Sequence, residues 1–383
     1  MRTYHAPLDL VRERSPERPV ALVRPDAVAV AARWFQDNIK ADVLYAVKAN
    51  PSRWVIETLV QAGVTGFDVA SIPEIELVRS VSPDARLAFM HPVKSRAAIT
   101  RAYFDHGVRT FALDCVEELQ KIVDCTGGAD DLNLIVRMAV NAEGAAYTLS
   151  GKFGVTADQA SGVLLATRQA VVNGLMGVSF HVGSQCMRPS AYQAAMAQVG
   201  RAITRAGVFV DIVDVGGGFP SVYPGMVPPD LAEYADAIAR GFAEMPVSET
   251  TELWCEPGRA LVAESSSVLC RVDLKKGDAL YLNDGSYGSL FDATHSRWPF
   301  PCKLVRDGAA SAELKPFRFY GPTCDSIDHM PGPFWLPADI REGDFIEIGM
   351  LGAYGVAMTT GFNGYGEHDL AVVEDAPMAS LYG

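Results

Sequence analysis

Between about residue 42 and residue 262, short apolar runs rich in β-branched and aromatic residues alternate with stretches whose apolar positions recur at helical spacing. Eight runs read as strands: VLYAV (43–47), GFDVA (66–70), RLAFM (86–90), RTFAL (109–113), LNLIVRMAV (132–140), LMGVSFHV (175–182), DIVDV (211–215) and ELWCEP (252–257). Segments such as PSRWVIETLVQAG (51–63) and SRAAITRAYFDHG (95–107) read as the helices between them. Eight strands, each followed by a helix, in roughly the 250 residues usual for that fold predict a (β/α)8 TIM-type barrel rather than an open doubly wound sheet.

After about residue 263 the texture changes to Val, Tyr, Phe and Thr runs broken by DG, KKGD and PGP turns. The pattern predicts an α/β barrel over 20–262 and a C-terminal all-β domain, Greek-key or β-barrel-like, over 263–383. Residues 1–19 or the first short strand are assigned to the β domain. The VALV run at 20–23 precedes the first barrel helix and is a candidate to pair with that domain.

The 383 residues are 49% hydrophobic and 21% charged, ample for two globular cores. A formal net charge of −13 argues against a nucleic-acid partner, which requires a clustered basic surface. The first twenty residues have no apolar core of signal-peptide length, and no run has the length of a membrane span, so a cytoplasmic protein is expected. Seven cysteines with no C-x-x-C pair suggest neither a zinc site nor a disulfide framework, and most are expected to be reduced and buried.

In such a barrel the catalytic groups collect at the C-terminal ends of the strands, where the βα loops converge. Those ends carry Lys48, then Asp68 and Ser71, His91, Asp114, Arg137, His181 with Ser184, Gly216 to Gly218, and Glu256 with Gly258 and Arg259. The seventh end, VDVGGGFP, offers backbone N–H groups unobstructed by Cβ atoms, and the eighth adds a permanently charged guanidinium. Phosphate favours both, at a position where barrels commonly bind it. Lys48, at the mouth of a dry barrel, is placed to act as a nucleophilic amine toward an aldehyde.

The ordered motifs Y-A-V-K-A-N-P around Lys48, H-V-G-S from His181, V-D-V-G-G-G-F-P, C-E-P-G-R, G-P-T-C-D-S-I-D and G-A-Y resemble the ornithine/lysine decarboxylase family of alanine-racemase-fold, fold type III enzymes. The resemblance spans about residues 19–365. It implies pyridoxal 5'-phosphate as cofactor, with Lys48 its covalent anchor, His181 stacked on the pyridine ring and Glu256 facing the ring nitrogen. Racemases of the same fold resemble one another in an arginine at that last position. The phosphate is implied to rest on Ser184, Gly216, Gly217, Gly218, Gly258, Arg259 and Tyr354, with Asp68 and Arg137 supporting the lysine and the ring.

The same resemblance implies a homodimer with shared active sites. Cys324 of the β domain protonates the α-carbon in the neighbouring subunit, and Asp325 pairs with the substrate's distal ammonium. Asp292, in SLFDATH, resembles a second acidic contact to that amine, after a loop shorter than in eukaryotic members. Lys152 and Asp328 resemble a cross-subunit ion pair. The implied reaction is decarboxylation of L-ornithine to putrescine, with a dual lysine/ornithine enzyme as the alternative. A diaminopimelate decarboxylase resembles C-E-S where this chain has C-D-S, and a noncatalytic regulatory relative is disfavoured by the intact Lys48, Glu256 and Cys324. No metal is expected.

Overall fold

The structure is a computed structural model, described for residues 2–141, 144–147 and 151–382. The chain divides into two compact units: Met1–Ala31, Ser221–Val227 and Arg259–Gly383 in one, Ala32–Pro220 and Pro228–Gly258 in the other.

The larger unit is a closed barrel of eight parallel strands: Asp42–Ala46, Gly66–Val69, Arg86–Phe89, Thr110–Leu113, Asn133–Arg137, Met176–Ser179, Ile212–Asp214 and Glu252–Cys255. The last closes on the first through Trp254 opposite Asp42 and Cys255 opposite Val43. Each predicted run supplies one of these strands. The fifth stops at Arg137, short of the predicted 140: Met138 N still bonds Ser179 O, but on the other edge Arg137 O and Ala139 N bond to the single residue Val155. Both predicted helices form, as Arg53–Gln61 and Arg96–Phe104, the latter capped by Ser95, whose side chain accepts the Ala98 N–H.

Strand side chains alternate with period two, so every second residue enters the barrel. Leu44, Ala88, Met90, Ala112, Ile135, Ile212 and Trp254 form one buried interior cluster. Gly177 makes room for it, since a Cβ there would crowd Ile135 and Ile212.

The smaller unit is built on a nine-stranded mixed sheet. Val20–Val23 lies inside it, antiparallel to Ser266–Lys276 and parallel to Asp369–Val373. Its core gathers Tyr4, Leu10, Val20, Leu22, Leu269, Val305, Phe345, Ala371 and Val373 from opposite ends of the sequence. Arg24, almost fully buried, joins Glu347 at 2.9 Å and Asp375 at 2.7 Å. All seven cysteines are free thiols, but only Cys186, Cys255 and Cys270 are buried, and Cys324 is exposed. The expectation that most would be buried is corrected accordingly. Among the described residues no helix is long and apolar enough to cross a membrane.

Candidate active site

One step beyond the interior apolar cluster, the same inward-facing register presents polar groups. Arg137 follows Ile135 by two residues, Asp214 follows Ile212, and Glu256 follows Trp254. The alternation that fills the barrel floor with hydrocarbon therefore aims charged groups toward the strand C-termini.

Lys48 lies in a single 3-10 turn, Val47–Ala49, just after the first strand. Tyr45 Oη donates to Asn50 O at 3.1 Å and fixes that turn. The Lys48 ammonium meets Asp68 Oδ2 at 2.9 Å, with Asp68 buried and the lysine side chain 44% exposed. The carboxylate thus holds the amine at a defined place while leaving it reachable. Behind Asp68, Glu74 accepts the Ala70 N–H at 2.6 Å, and burial, then the nearby Asp68 charge, raises its carboxyl above the usual range. Gly258 packs closely on the lysine turn: a Cβ there would stand 3.1 Å from Ala49 Cβ and 3.2 Å from Ala46 Cβ.

His181 is half-buried, and its Nδ1 accepts the Gly183 N–H at 2.9 Å. Burial, followed by the positive charges of Arg137 and Lys48, pushes its pKa well below the ordinary value, so the ring is neutral and fixed in plane. The glycine run is tied down from outside. Tyr192 Oη donates to Gly217 O at 2.9 Å, and Cys186 N donates to Gly218 O at 2.9 Å. Gly216 has φ of +68°, and any Cβ would collide with Phe180 O, so no other residue fits.

Glu256 and Asp214 form the electrostatic centre of this unit. Burial and then the Asp214 charge raise Glu256 well above the carboxylate range, while Asp214, chiefly by burial, is pushed up to about 6. Asp214 Oδ1 accepts the Gly216 N–H at 2.8 Å. Glu256 Oε1 and Asp214 Oδ2 are buried with no hydrogen-bond partner among the described residues. Three carboxyl groups, those of Asp68, Asp214 and Glu256, here lie under one another's influence beside the cations Lys48 and Arg137. A buried acceptor in an acid-rich pocket calls for a cationic donor. The protonated nitrogen of a pyridine ring fits that need, so the residues present suit pyridoxal phosphate.

Arg259, Asp292, Cys324, Asp325, Asp328 and Tyr354 belong to the smaller unit. Arg259 is buried; it donates to Tyr223 Oη at 2.9 Å, lies 3.6 Å from Asp292, and stacks with Trp298 and Tyr354, its Cζ 4.1 and 4.9 Å from the ring centroids. Cys324 is exposed, its backbone N–H held by Asn363 Oδ1 at 3.0 Å. Asp325 accepts the Tyr287 hydroxyl at 2.6 Å and the Ile327 N–H at 3.1 Å, which together hold its carboxyl below the usual range. Asp328 is buried and takes four donors within its own unit: Ser286 N and Oγ, and Thr323 N and Oγ1, at 2.7–3.1 Å. Its carboxylate is thereby a clamp on the C-D-S loop. Lys152, in the larger unit, places its ammonium over the Phe153 ring, 4.9 Å from the centroid.

The lesser strand-end residues have local partners. Ser71 caps the helix Ile72–Val81, Asp114 accepts the Gly154 N–H at 2.8 Å, and His91 accepts the Val93 N–H at 3.1 Å. Ser184 lies in the short strand Ser184–Cys186, paired with Ala145–Tyr147. Sequence reasoning missed Asp214, whose signal was present: an acid in register with Ile212 in an otherwise apolar strand. It also missed Tyr223, Tyr287 and Trp298, for which no local pattern exists.

Residues 26–263 match the pyridoxal-dependent decarboxylases, pyridoxal binding domain. The lysine/ornithine decarboxylase of Selenomonas ruminantium is 31% identical over 346 residues, 88% of this chain and 85% of that protein. Ornithine decarboxylase of Mus musculus is 30% identical over 384 residues, covering 91% and 79%. The crystal structure of the Paramecium bursaria Chlorella virus arginine decarboxylase bound to agmatine is similar with a TM-score of 0.85 at 27% identity, over 95% of this chain and 98% of that one. A closed parallel barrel with buried acids at its strand ends, together with these relatives, defines a pyridoxal-phosphate-dependent carboxy-lyase. The chain belongs to the pyridoxal-dependent decarboxylase family, in the branch that contains these basic-amino-acid enzymes.

Proposed function

We propose that this enzyme decarboxylates L-ornithine to putrescine and carbon dioxide in cytoplasmic polyamine synthesis. The observation that carries the choice of a diamino acid is Asp325, an ionised carboxylate on an exposed loop beside Cys324, oriented by Tyr287 and the Ile327 N–H. An oriented anion is the natural partner of a distal ammonium. In this reading Asp292 is its second contact.

Bound pyridoxal phosphate supplies an electron sink for the pair left when the α-carboxylate departs. The protein's own groups make that possible. Lys48 anchors the cofactor, and Asp68 sets the amine's position. Glu256 keeps a proton at the ring nitrogen, because its buried oxygen has no other donor to satisfy it. His181, neutral and locked by Gly183, offers a flat face to the ring, and Arg137 adds positive potential nearby. Ser184, Gly216, Gly217, Gly218, Gly258, Arg259 and Tyr354 receive the phosphate. Cys324 delivers the proton to the α-carbon.

Two copies complete the site in this reading, each lending Cys324 and Asp325 to the other. Around that loop the smaller unit exposes Ile327, Val356, Met358, Phe362 and Tyr365, an apolar surface suited to a partner.

Lysine is the second reading, because the Selenomonas ruminantium relative is named for both substrates. One methylene is worth only ~1–3 kcal/mol of discrimination. The deciding experiment is carbon dioxide release from ornithine, lysine, arginine and diaminopimelate by purified enzyme with pyridoxal phosphate. Ornithine is expected to give the highest kcat/KM, and turnover confined to arginine or diaminopimelate refutes the proposal.

A further inference from the structure

The surroundings of Arg259 hold a residue to which no role has been given. Its guanidinium is buried, and its Nε has no hydrogen-bond partner among the described residues. Nη1 donates to Tyr223 Oη at 2.9 Å, whereas Asp292 Oδ2 is 3.6 Å from Nη2, within ion-pair range but beyond good hydrogen-bond geometry. Two forces therefore compete for one guanidinium. The carboxylate would draw it into a two-point fork–fork pair, the preferred geometry of arginine with a carboxylate. The phenol holds it short of that.

Tyr223 is equipped to hold. Its side chain is fully buried, its ring packs on Trp298 at 5.0 Å and edge-on to Phe300 at 5.5 Å, and its backbone exchanges two hydrogen bonds with Met226. A hydroxyl on so constrained a ring is a fixed point. Ser221, two residues earlier, reaches the Arg259 carbonyl at 3.5 Å, so the same short segment touches both ends of the arginine.

We propose that Tyr223 is a positioning residue that holds the Arg259 guanidinium away from Asp292, so that its Nε edge stays available to the cofactor phosphate. The inference rests on the reading of Arg259 as a phosphate ligand. Losing a hydrogen bond to a charged group costs about ten- to a hundredfold in an equilibrium constant. The loss should fall on ligands that carry the phosphate and not on those that lack it.

The test measures dissociation constants of pyridoxal phosphate and of pyridoxal, by absorbance titration of cofactor-free protein, for wild type, Tyr223→Phe, Arg259→Met and the double variant Tyr223→Phe/Asp292→Asn. Tyr223→Phe keeps the ring and its packing, and is expected to bind pyridoxal phosphate about ten- to a hundredfold more weakly while binding pyridoxal as wild type does. The double variant is expected to recover part of the loss. Pyridoxal phosphate affinity within about twofold of wild type in Tyr223→Phe, together with weak binding by Arg259→Met, overturns the role of Tyr223 alone. Wild-type affinity in Arg259→Met overturns the underlying reading of Arg259. Equal losses for pyridoxal and pyridoxal phosphate in Tyr223→Phe overturn the positioning role in favour of a structural one, and no recovery in the double variant overturns the competition with Asp292.

Discussion

Asp214, opposite Trp254 on the neighbouring strand, and Glu256, two residues beyond that tryptophan, are both buried, each with one carboxyl oxygen lacking a partner among the described residues. The two strands are knitted just above them by Val215 N to Trp254 O and Glu256 N to Gly216 O. Two acids so placed cannot both ionise cheaply without a cation between or beside them.

A pH dependence follows for the cofactor-free protein. Both acids have folded pKa values raised above their unfolded ones, to about 6 for Asp214. Their protonated forms are favoured on folding, so this contribution is complete below about pH 4 and is lost as pH rises through about 6. Asp214→Asn should therefore raise the melting temperature of cofactor-free protein more at pH 7.5 than at pH 5. Thermal denaturation at both values checks it, and an equal shift at both counts against the ionisation argument.

Lys48→Ala should abolish the visible absorbance of the lysine-bound cofactor and nearly all turnover. Asp68→Asn, which keeps the shape but removes the charge beside the amine, should retain the absorbance with its pH midpoint moved down, because the partner that favours the protonated amine is gone. Spectra across a pH series distinguish the two variants.

The proposed sharing of sites between two copies predicts complementation between inactive variants. Lys48→Ala and Cys324→Ala protein, each nearly inactive in putrescine formation, should regain about a quarter of wild-type activity when mixed in equal amounts and allowed to exchange, since half the dimers then carry one intact site. No gain after demonstrated exchange would place both residues of a site on one chain.

Asp328→Ala should destabilise the protein by on the order of 2–4 kcal/mol, because four donors around a buried carboxylate lose their acceptor together. A cross-subunit pair with Lys152 predicts something else, a loss that salt mimics in wild type and that Lys152→Ala reproduces. Denaturant unfolding of both variants at low and high ionic strength separates the two.

The barrel was legible in the sequence because its signal is local. A parallel strand covered on both faces is apolar throughout, a helix on its surface is apolar on one side, and eight repetitions leave few alternatives. That Lys48, His181, the glycine run and Glu256 lie just past barrel strands was equally legible, since each sits in a short ordered motif. Asp214 was within reach of the same period-two reading that places Ile212 inside.

What tertiary structure alone decided is pairing across sequence distance. Val20–Val23 became an interior strand of a sheet in which both of its neighbours, Ser266–Lys276 and Asp369–Val373, lie beyond residue 265. Tyr223 meets Arg259 36 residues away, Tyr287 meets Asp325 38 away, and Ser286 closes on Asp328 42 away. Such contacts leave no periodicity, because their partners are chosen by the fold's geometry and not by neighbouring residues. The sequence by itself determined that a lysine follows the first strand of a barrel. Only the folded chain decided which carboxylate holds that lysine, which acid shares the burden of Glu256, and which phenol restrains Arg259.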